Sequence, residues 1–181
     1  MELQRSLNGA LAGMVAAGVW AVQQPLDKRV FESGYDDVEL LGKLVVRDAS
    51  WPAAGAAMHL ANGAIFGAVY AQLRPFAPGP PLAAGLTAGM IEHFALWPLT
   101  RLVDRCHPAR KELTALSGNR RALAQAAWRH LLFGAVLGEL ERRLNVEDVA
   151  EEPPPVPVSS NGHGDIDAVA GATLASYSKS P

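Results

Sequence analysis

The chain has 181 residues, of which 49% are hydrophobic, and its 16 Lys and Arg residues against 18 Asp and Glu give a net charge of −2. This balance excludes a protein that binds nucleic acid through a strongly basic surface. Cys106 is the single cysteine, so an internal disulfide is excluded as well. The sequence also lacks a phosphate-binding Gly-rich loop, a Gly-x-Ser-x-Gly elbow and a His-Glu-x-x-His motif. These familiar catalytic motifs are therefore set aside, and whether the chain is an enzyme stays open, with a non-enzymatic role favoured.

Four stretches rich in apolar and small residues predict the helices of the fold. They are residues 7–23, 51–73, 82–103 and 122–140. A helix rises about 1.5 Å per residue, so about 20 residues cross the hydrocarbon core of a bilayer. The sequence therefore predicts an all-α fold, an integral membrane four-helix bundle of transmembrane helices, within a domain of residues 1–145. Residues 146–181 are rich in Pro, Ser and Gly. Such a composition buries too little apolar area to offset its ordering entropy, so we expect a disordered tail.

Charged segments separate the predicted helices and suggest an orientation. Residues 36–48 place apolar side chains at helical spacing among charged ones, which predicts an amphipathic helix on the membrane surface. Lys and Arg are concentrated in residues 24–50 and 104–121. By the positive-inside rule, these two loops are expected in the cytoplasm, with both termini outside. His107 lies in the second loop, where we expect it to be solvated.

Each predicted helix carries a Gly-xxx-Gly motif. Small residues let helix backbones approach closely, so these positions predict helix packing contacts. The sequence leaves open whether the same positions also serve a homo-oligomer. The eight glycines are Gly9, Gly13, Gly63, Gly67, Gly85, Gly89, Gly134 and Gly138.

The chain also shows signs of a tandem two-helix repeat. Residues 9–14 (GALAGM) align with residues 85–90 (GLTAGM), and Pro25-Leu26 aligns with Pro98-Leu99 after a three-residue offset. His59-Leu60 precedes Gly63 and Gly67, just as His130-Leu131 precedes Gly134 and Gly138. We therefore predict that residues 7–73 and 82–140 are two copies of one helix pair.

Polar residues near the middle of the predicted helices form a candidate site. An ionisable group at the centre of a bilayer costs about 2.5–3.5 kcal/mol on insertion scales, so each should face the interior with a partner, for example Glu92 with Arg129. Three explanations stay open: a structural hydrogen-bond network, a transition-metal or haem site, and a proton or small-solute pathway. The candidate metal or haem ligands are His59, Glu92, His93 and His130, and no cofactor is favoured over none. The whole layer comprises His59, Asn62, Glu92, His93, Arg129 and His130.

The pattern resembles the YagU-like family of small bacterial inner-membrane proteins. The resemblance rests on Gly85, Gly89, His93 and Pro98 in the third helix, with His59 in the second and His130 in the fourth. It covers about residues 7–143, and it implies a multi-pass protein of the bacterial inner membrane without supplying catalytic residues. The long first loop and the tail depart from it. We expect a structural or accessory membrane protein whose partners are the lipid bilayer and either further copies of the chain or a larger membrane complex. The alternative is a haem- or metal-binding protein, or a proton or solute pathway, that uses the same polar layer.

Overall fold

The structure is a computed structural model that describes residues 3–145. The segment predicted as a disordered tail, 146–181, lies outside the described residues. Within residues 3–145 the chain is helical and has no strand. Short 3₁₀ turns at Arg74–Phe76 and Trp97–Leu99 interrupt the α-helices. These α-helices are α1 (Leu3–Val30), α2 (Asp37–Val45), α3 (Trp51–Leu73), α4 (Pro81–Leu96), α5 (Thr100–Cys106) and α6 (Arg120–Leu144).

The prediction of an integral membrane four-helix bundle is wrong. Across residues 3–145, none of the helices combines the length and the apolar character that a membrane crossing requires. Helix α4 has 16 residues, or about 24 Å, against a hydrocarbon core of about 30 Å. Helix α3 is long enough, but 11 of its 23 residues are Ala or Gly, whose small side chains contribute little apolar area. The inner-membrane placement, with 24–50 and 104–121 in the cytoplasm and both termini outside, is wrong for the same reason.

Helix ends differ from the predicted ones where proline and capping residues act. Helix α1 continues through Pro25 to Val30, beyond the predicted end at residue 23. The predicted third helix instead breaks into α4, a 3₁₀ turn that contains Pro98, and α5. Helix α2 begins after Asp36, whose side chain accepts a hydrogen bond from the Glu39 backbone N–H at 2.9 Å and so caps the helix.

The helices pack in the spatial order α2, α3, α1, α6, α4. Glycines set the close crossings. A Cβ added at Gly13 in α1 would lie 2.9 Å from Gly67 Cα in α3, and closer still to Gly63 O. A Cβ added at Gly85 in α4 would lie 2.9 Å from Gly138 Cα in α6, and closer still to Gly134 O. The core between these crossings consists of Ala12, Ala16, Ala17, Trp20, Tyr70, Phe133 and Leu137.

The two glycine crossings are equivalent, but in a different register from the predicted repeat. Gly13 of α1 lies against Gly63 and Gly67 of α3. In the same way, Gly85 of α4 lies against Gly134 and Gly138 of α6. The repeat alignment paired Gly9, rather than Gly13, with Gly85. That alignment is therefore displaced by one helical turn on the first helix of each pair, whereas the second helices correspond as predicted.

Residues 107–117 fold over α2 at one end of the helices. Arg47 donates to Pro108 O at 2.9 Å, and Glu112 accepts from Lys43 at 3.0 Å and from Arg47 at 2.8 Å. His107 is buried rather than solvated, because Nε2 donates to Leu40 O at 3.0 Å while Nδ1 accepts from the backbone N–H of the Ala109 residue. These contacts fix α2 in place over the site described next.

Candidate functional site

A buried ion network centred on Arg129 lies at the heart of the fold. Its guanidinium is 0% exposed, and Nε and Nη2 each donate to the Asp27 carboxylate at 2.6 Å. Nη1 donates to Asp37 at 2.5 Å. Arg129 therefore pairs with Asp27 and Asp37, and not with Glu92 as in the pairing we expected. Two carboxylates share one guanidinium, so the network carries a net charge of −1.

Further donors complete the shell around the two carboxylates. Asp27 also accepts from Gln125 Nε2 at 2.7 Å. Asp37 accepts from Trp20 Nε1 at 3.1 Å and from the Tyr35 hydroxyl at 2.5 Å. Burial, followed by the charge of Asp37, holds the pKa of Tyr35 well above its usual value, so this hydroxyl stays protonated and donates. Asp37 is thus tied to α1, α6 and the segment before α2 at once.

A cavity of about 190 Å³ lies beside this network, between α1, α3, α4 and α6, with α2 over one side. Its wall combines three imidazoles, two carboxylates and five further aromatic rings, and within residues 3–145 no Lys or Arg lines it. The residues in these classes are His59, His93, His130, Asp37, Glu92, Trp20, Tyr35, Phe66, Trp97 and Phe133.

The imidazoles gather around one indole. The Trp20 ring lies edge-on to His59 and His130, with ring centroids 5.2 and 4.8 Å apart, and the centroids of His93 and His130 are 4.9 Å apart. His59 Nε2 lies 3.2 Å from Ala17 O, and His130 Nδ1 lies 2.7 Å from Ala126 O. A carbonyl oxygen only accepts, so both of these nitrogens carry a proton.

The free nitrogens of the same rings are the chemically available atoms. The tautomers assigned above leave a lone pair on His59 Nδ1 and on His130 Nε2. His93 is 2% exposed, and its Nε2 is buried without a hydrogen-bond partner among residues 3–145. The cavity therefore presents imidazole nitrogens that can accept hydrogen bonds.

Burial sets the charge of the groups on the cavity wall. Burial lowers the pKa of His59 and of His130, and burial together with the nearby His130 lowers the pKa of His93 to about 4. Burial, with a further contribution from Asp37, raises the pKa of Glu92 to about 7. Near neutral pH the three imidazoles are uncharged, while Glu92 exchanges its proton readily.

The structure brings most of the predicted polar layer together. His59, Glu92, His93 and His130 line the cavity, and Asn62 lines it from an exposed position on α3. Arg129 lies behind the wall, in the ion network. Across residues 3–145 there is no group of three or more His, Cys, Asp or Glu side chains that could hold a metal ion. The cavity is also smaller than the roughly 300–1,000 Å³ of pockets for drug-sized ligands, and so too small for a haem.

Sequence reasoning missed three acidic or phenolic members of the site. Asp27, Tyr35 and Asp37 lie within residues 24–50, which were predicted as a cytoplasmic loop. Trp20 lies in the first predicted helix, residues 7–23, and was not part of the predicted polar layer. The usable signal was Arg129 itself, because a guanidinium inside an apolar helix requires a carboxylate from elsewhere in the chain.

Comparison of the chain with family models, with curated protein sequences and with solved structures found no match. The resemblance to YagU-like proteins therefore stays a prediction.

Proposed function

We propose that this protein binds one small organic molecule in the cavity between α1, α3, α4 and α6. The observation that carries the proposal is His93, a residue that lines the cavity and whose Nε2 is buried without a partner in the described chain. Leaving such a group unsatisfied costs about 1–3 kcal/mol. A ligand that donates a hydrogen bond to it recovers part of that cost.

The size of the cavity limits the ligand. A dry protein cavity of about 150 Å³ accommodates benzene. At about 190 Å³, this cavity has room for one aromatic ring with a short polar substituent. Trp20, Phe66 and Phe133 supply edge and face contacts for such a ring. The ring centroids of Trp20 and Phe133 are 6.2 Å apart, and those of Phe66 and Phe133 are 5.4 Å apart. The polar substituent would face the imidazole nitrogens.

A structural or accessory role for the same layer is the second candidate. It is supported by the Arg129 network, in which both carboxylates are held by several donors. The polar groups would then stabilise the helix packing and serve no ligand. The two candidates differ at His93: a purely structural layer predicts effects on stability alone, whereas a binding site predicts effects on ligand affinity.

Titration of the full chain with benzyl alcohol, followed by NMR of ¹⁵N-labelled histidine side chains, tests the proposal. We expect the ring resonances of His93 and His130 to shift in a saturable way, while His107, outside the cavity, stays unchanged. His93→Leu should weaken binding by roughly tenfold, which corresponds to the loss of one hydrogen bond of about 1.4 kcal/mol. Ile91→Val is the matched control, because Ile91 is an exposed residue of α4 outside the cavity. Folded protein whose cavity histidines respond to none of a panel of ring-sized probes would contradict the proposal and favour the structural candidate.

A further inference from the structure

We infer that the ligand of this cavity is an organic cation, a protonated amine carried on a ring-sized apolar group, whose charged nitrogen lies between Asp37 and Glu92. The inference rests on the binding function proposed above and names its substrate class.

The charge on the wall is one-sided. Asp37 and Glu92 both line the cavity, whereas no Lys or Arg of residues 3–145 does. Arg129 reaches Asp37 from behind the wall, but its single positive charge is shared between Asp37 and Asp27. The network therefore keeps one uncompensated negative charge next to the cavity. In surroundings of low polarity, such a charge attracts a cation far more strongly than it would in water.

Aromatic rings enclose the same space. Trp20, Tyr35, Phe66, Trp97 and Phe133 all contribute to the wall. The face of an aromatic ring attracts a cation within about 6 Å, with an energy that grows from about 0.5–1 kcal/mol at exposed sites to about 2 kcal/mol when water is excluded. Carboxylates combined with aromatic faces are the recognition chemistry of ammonium groups, and an anion would be repelled by both.

The hydrogen-bonding groups favour a donor ligand for an independent reason. The backbone carbonyls already bonded to His59 and His130 fix where their protons lie, so the remaining lone pairs on His59 Nδ1 and His130 Nε2 accept. His93 Nε2 accepts in the same way when the His93 proton is on Nδ1. An ammonium group has N–H donors and no acceptor, so it complements these atoms. A carboxylate or phosphate ligand, which only accepts, would leave His59 Nδ1 and His130 Nε2 without a donor.

Binding should depend on pH through Glu92. The charged or titratable groups around it are Asp37, the network behind Asp37, Tyr35 and the three cavity histidines. Asp37 opposes ionisation of Glu92. Asp27 and Arg129 belong to the network behind Asp37, Tyr35 remains protonated, and the three cavity histidines are neutral near pH 7. A bound cation relieves the repulsion between the two carboxylates, so affinity should rise as pH increases through about 7, until the amine itself loses its proton.

Three probes of nearly the same shape separate charge from size: benzylamine, benzyl alcohol and benzoate. We would measure their affinities for the full chain by isothermal titration calorimetry at pH 8, where the amine is protonated. The expected result is that benzylamine binds at least tenfold more tightly than benzyl alcohol and that benzoate binds more weakly than both. Glu92→Gln should reduce the ratio of amine to alcohol affinity at least fivefold. Glu139→Gln is the matched control, because Glu139 lies on α6 outside the cavity and pairs with Arg142 and Arg143.

Each outcome separates this inference from the proposed function. Equal affinities for the amine and the alcohol, or tightest binding of benzoate, would overturn the inference while leaving the binding function in place. A preference for the amine that Glu92→Gln leaves unchanged would overturn the placement of the charge beside Glu92. Absence of binding by all three probes would overturn the binding function itself. The comparison of probes on the unaltered chain decides the main question even where a variant fails to fold.

Discussion

Gly13→Ala and Gly18→Ala lie on the same helix, yet the structure predicts opposite effects on stability. At Gly13 the added methyl group would lie 2.9 Å from Gly67 Cα and closer still to Gly63 O. Both neighbours are backbone atoms of α3, so no side chain can rotate away, and the two helices must separate. At Gly18 the nearest atom is Leu60 Cδ2 at 3.8 Å, an ordinary van der Waals contact.

The magnitudes follow from two opposing contributions. Overpacking a tight contact costs about 1–3 kcal/mol. Ala in place of Gly inside a helix returns about 0.5–1 kcal/mol, because the unfolded chain loses conformational freedom. Because the contacts at Gly13 are with backbone atoms, the cost should lie in the upper part of this range, about 2–3 kcal/mol. Gly13→Ala should therefore lower the free energy of unfolding by about 1–2.5 kcal/mol, or the melting temperature by about 2–10 °C in a domain of this size. Gly18→Ala receives only the favourable contribution and should gain about 0.5–1 kcal/mol.

Urea unfolding of the full chain, followed by far-ultraviolet circular dichroism, measures both changes. Similar urea dependence in the two variants and the parent chain would show that the same cooperative unit unfolds. The packing argument would be refuted if Gly13→Ala were as stable as the parent chain, since α1 and α3 would then be free to shift apart. A loss of equal size in Gly18→Ala would point to a general effect of methyl groups on α1 rather than to the crossing.

Three further predictions concern the buried charges. Arg129→Met leaves two buried carboxylates without their cation and should cost about 3–5 kcal/mol in urea unfolding, whereas Arg121→Met, at an exposed ion pair, should change stability by about 0–1 kcal/mol. Burial raises the pKa of Glu92 from an ordinary 4.5 to about 7. The protonated side chain therefore contributes stability that is fully present below pH 4.5 and is lost as pH rises through 7. Glu92→Gln should match the parent chain in acid and exceed its stability by about 1–3 kcal/mol above pH 8, in unfolding curves measured across that range. Because the pKa of His93 falls to about 4 from 6.5, its contribution is present above pH 6.5 and lost towards pH 4, so His93→Leu should flatten the acid side of the same stability profile.

The sequence indicated helices wherever small and apolar residues ran without charge, and the structure shows why their register was harder to predict. Helix α3 begins at Trp51 and ends at Leu73, where a charge-free run meets Arg74-Pro75. The Gly-xxx-Gly spacing identified which residues can approach another backbone. It repeats every turn, however, so sequence alone does not distinguish Gly9 from Gly13 as the counterpart of Gly85. Only the distances across each crossing make that distinction.

The membrane prediction failed for a related reason. Freedom from charge in α3 was interpreted as a sign of lipid contact, but Ala and Gly satisfy it while adding little apolar area. The small residues instead let the backbones of α1 and α3 approach closely. The Arg129 network, in turn, joins residues 102 positions apart, and it depends on α1 continuing beyond Pro25 so that Asp27 faces α6. No local pattern in the sequence indicates that continuation.

Asp37 links the stability of this fold to the chemistry of its cavity. The same carboxylate accepts hydrogen bonds from Arg129, Trp20 and Tyr35, and it also forms part of the cavity wall. Under the proposed function, this position makes the charge that Arg129 of α6 holds in place available to a ligand. Helix α2 carries this carboxylate and is itself clamped by Glu112, through Lys43 and Arg47. The geometry of the cavity wall is therefore set by contacts that lie outside it, and the proposed ligand would meet a carboxylate that is already held in place.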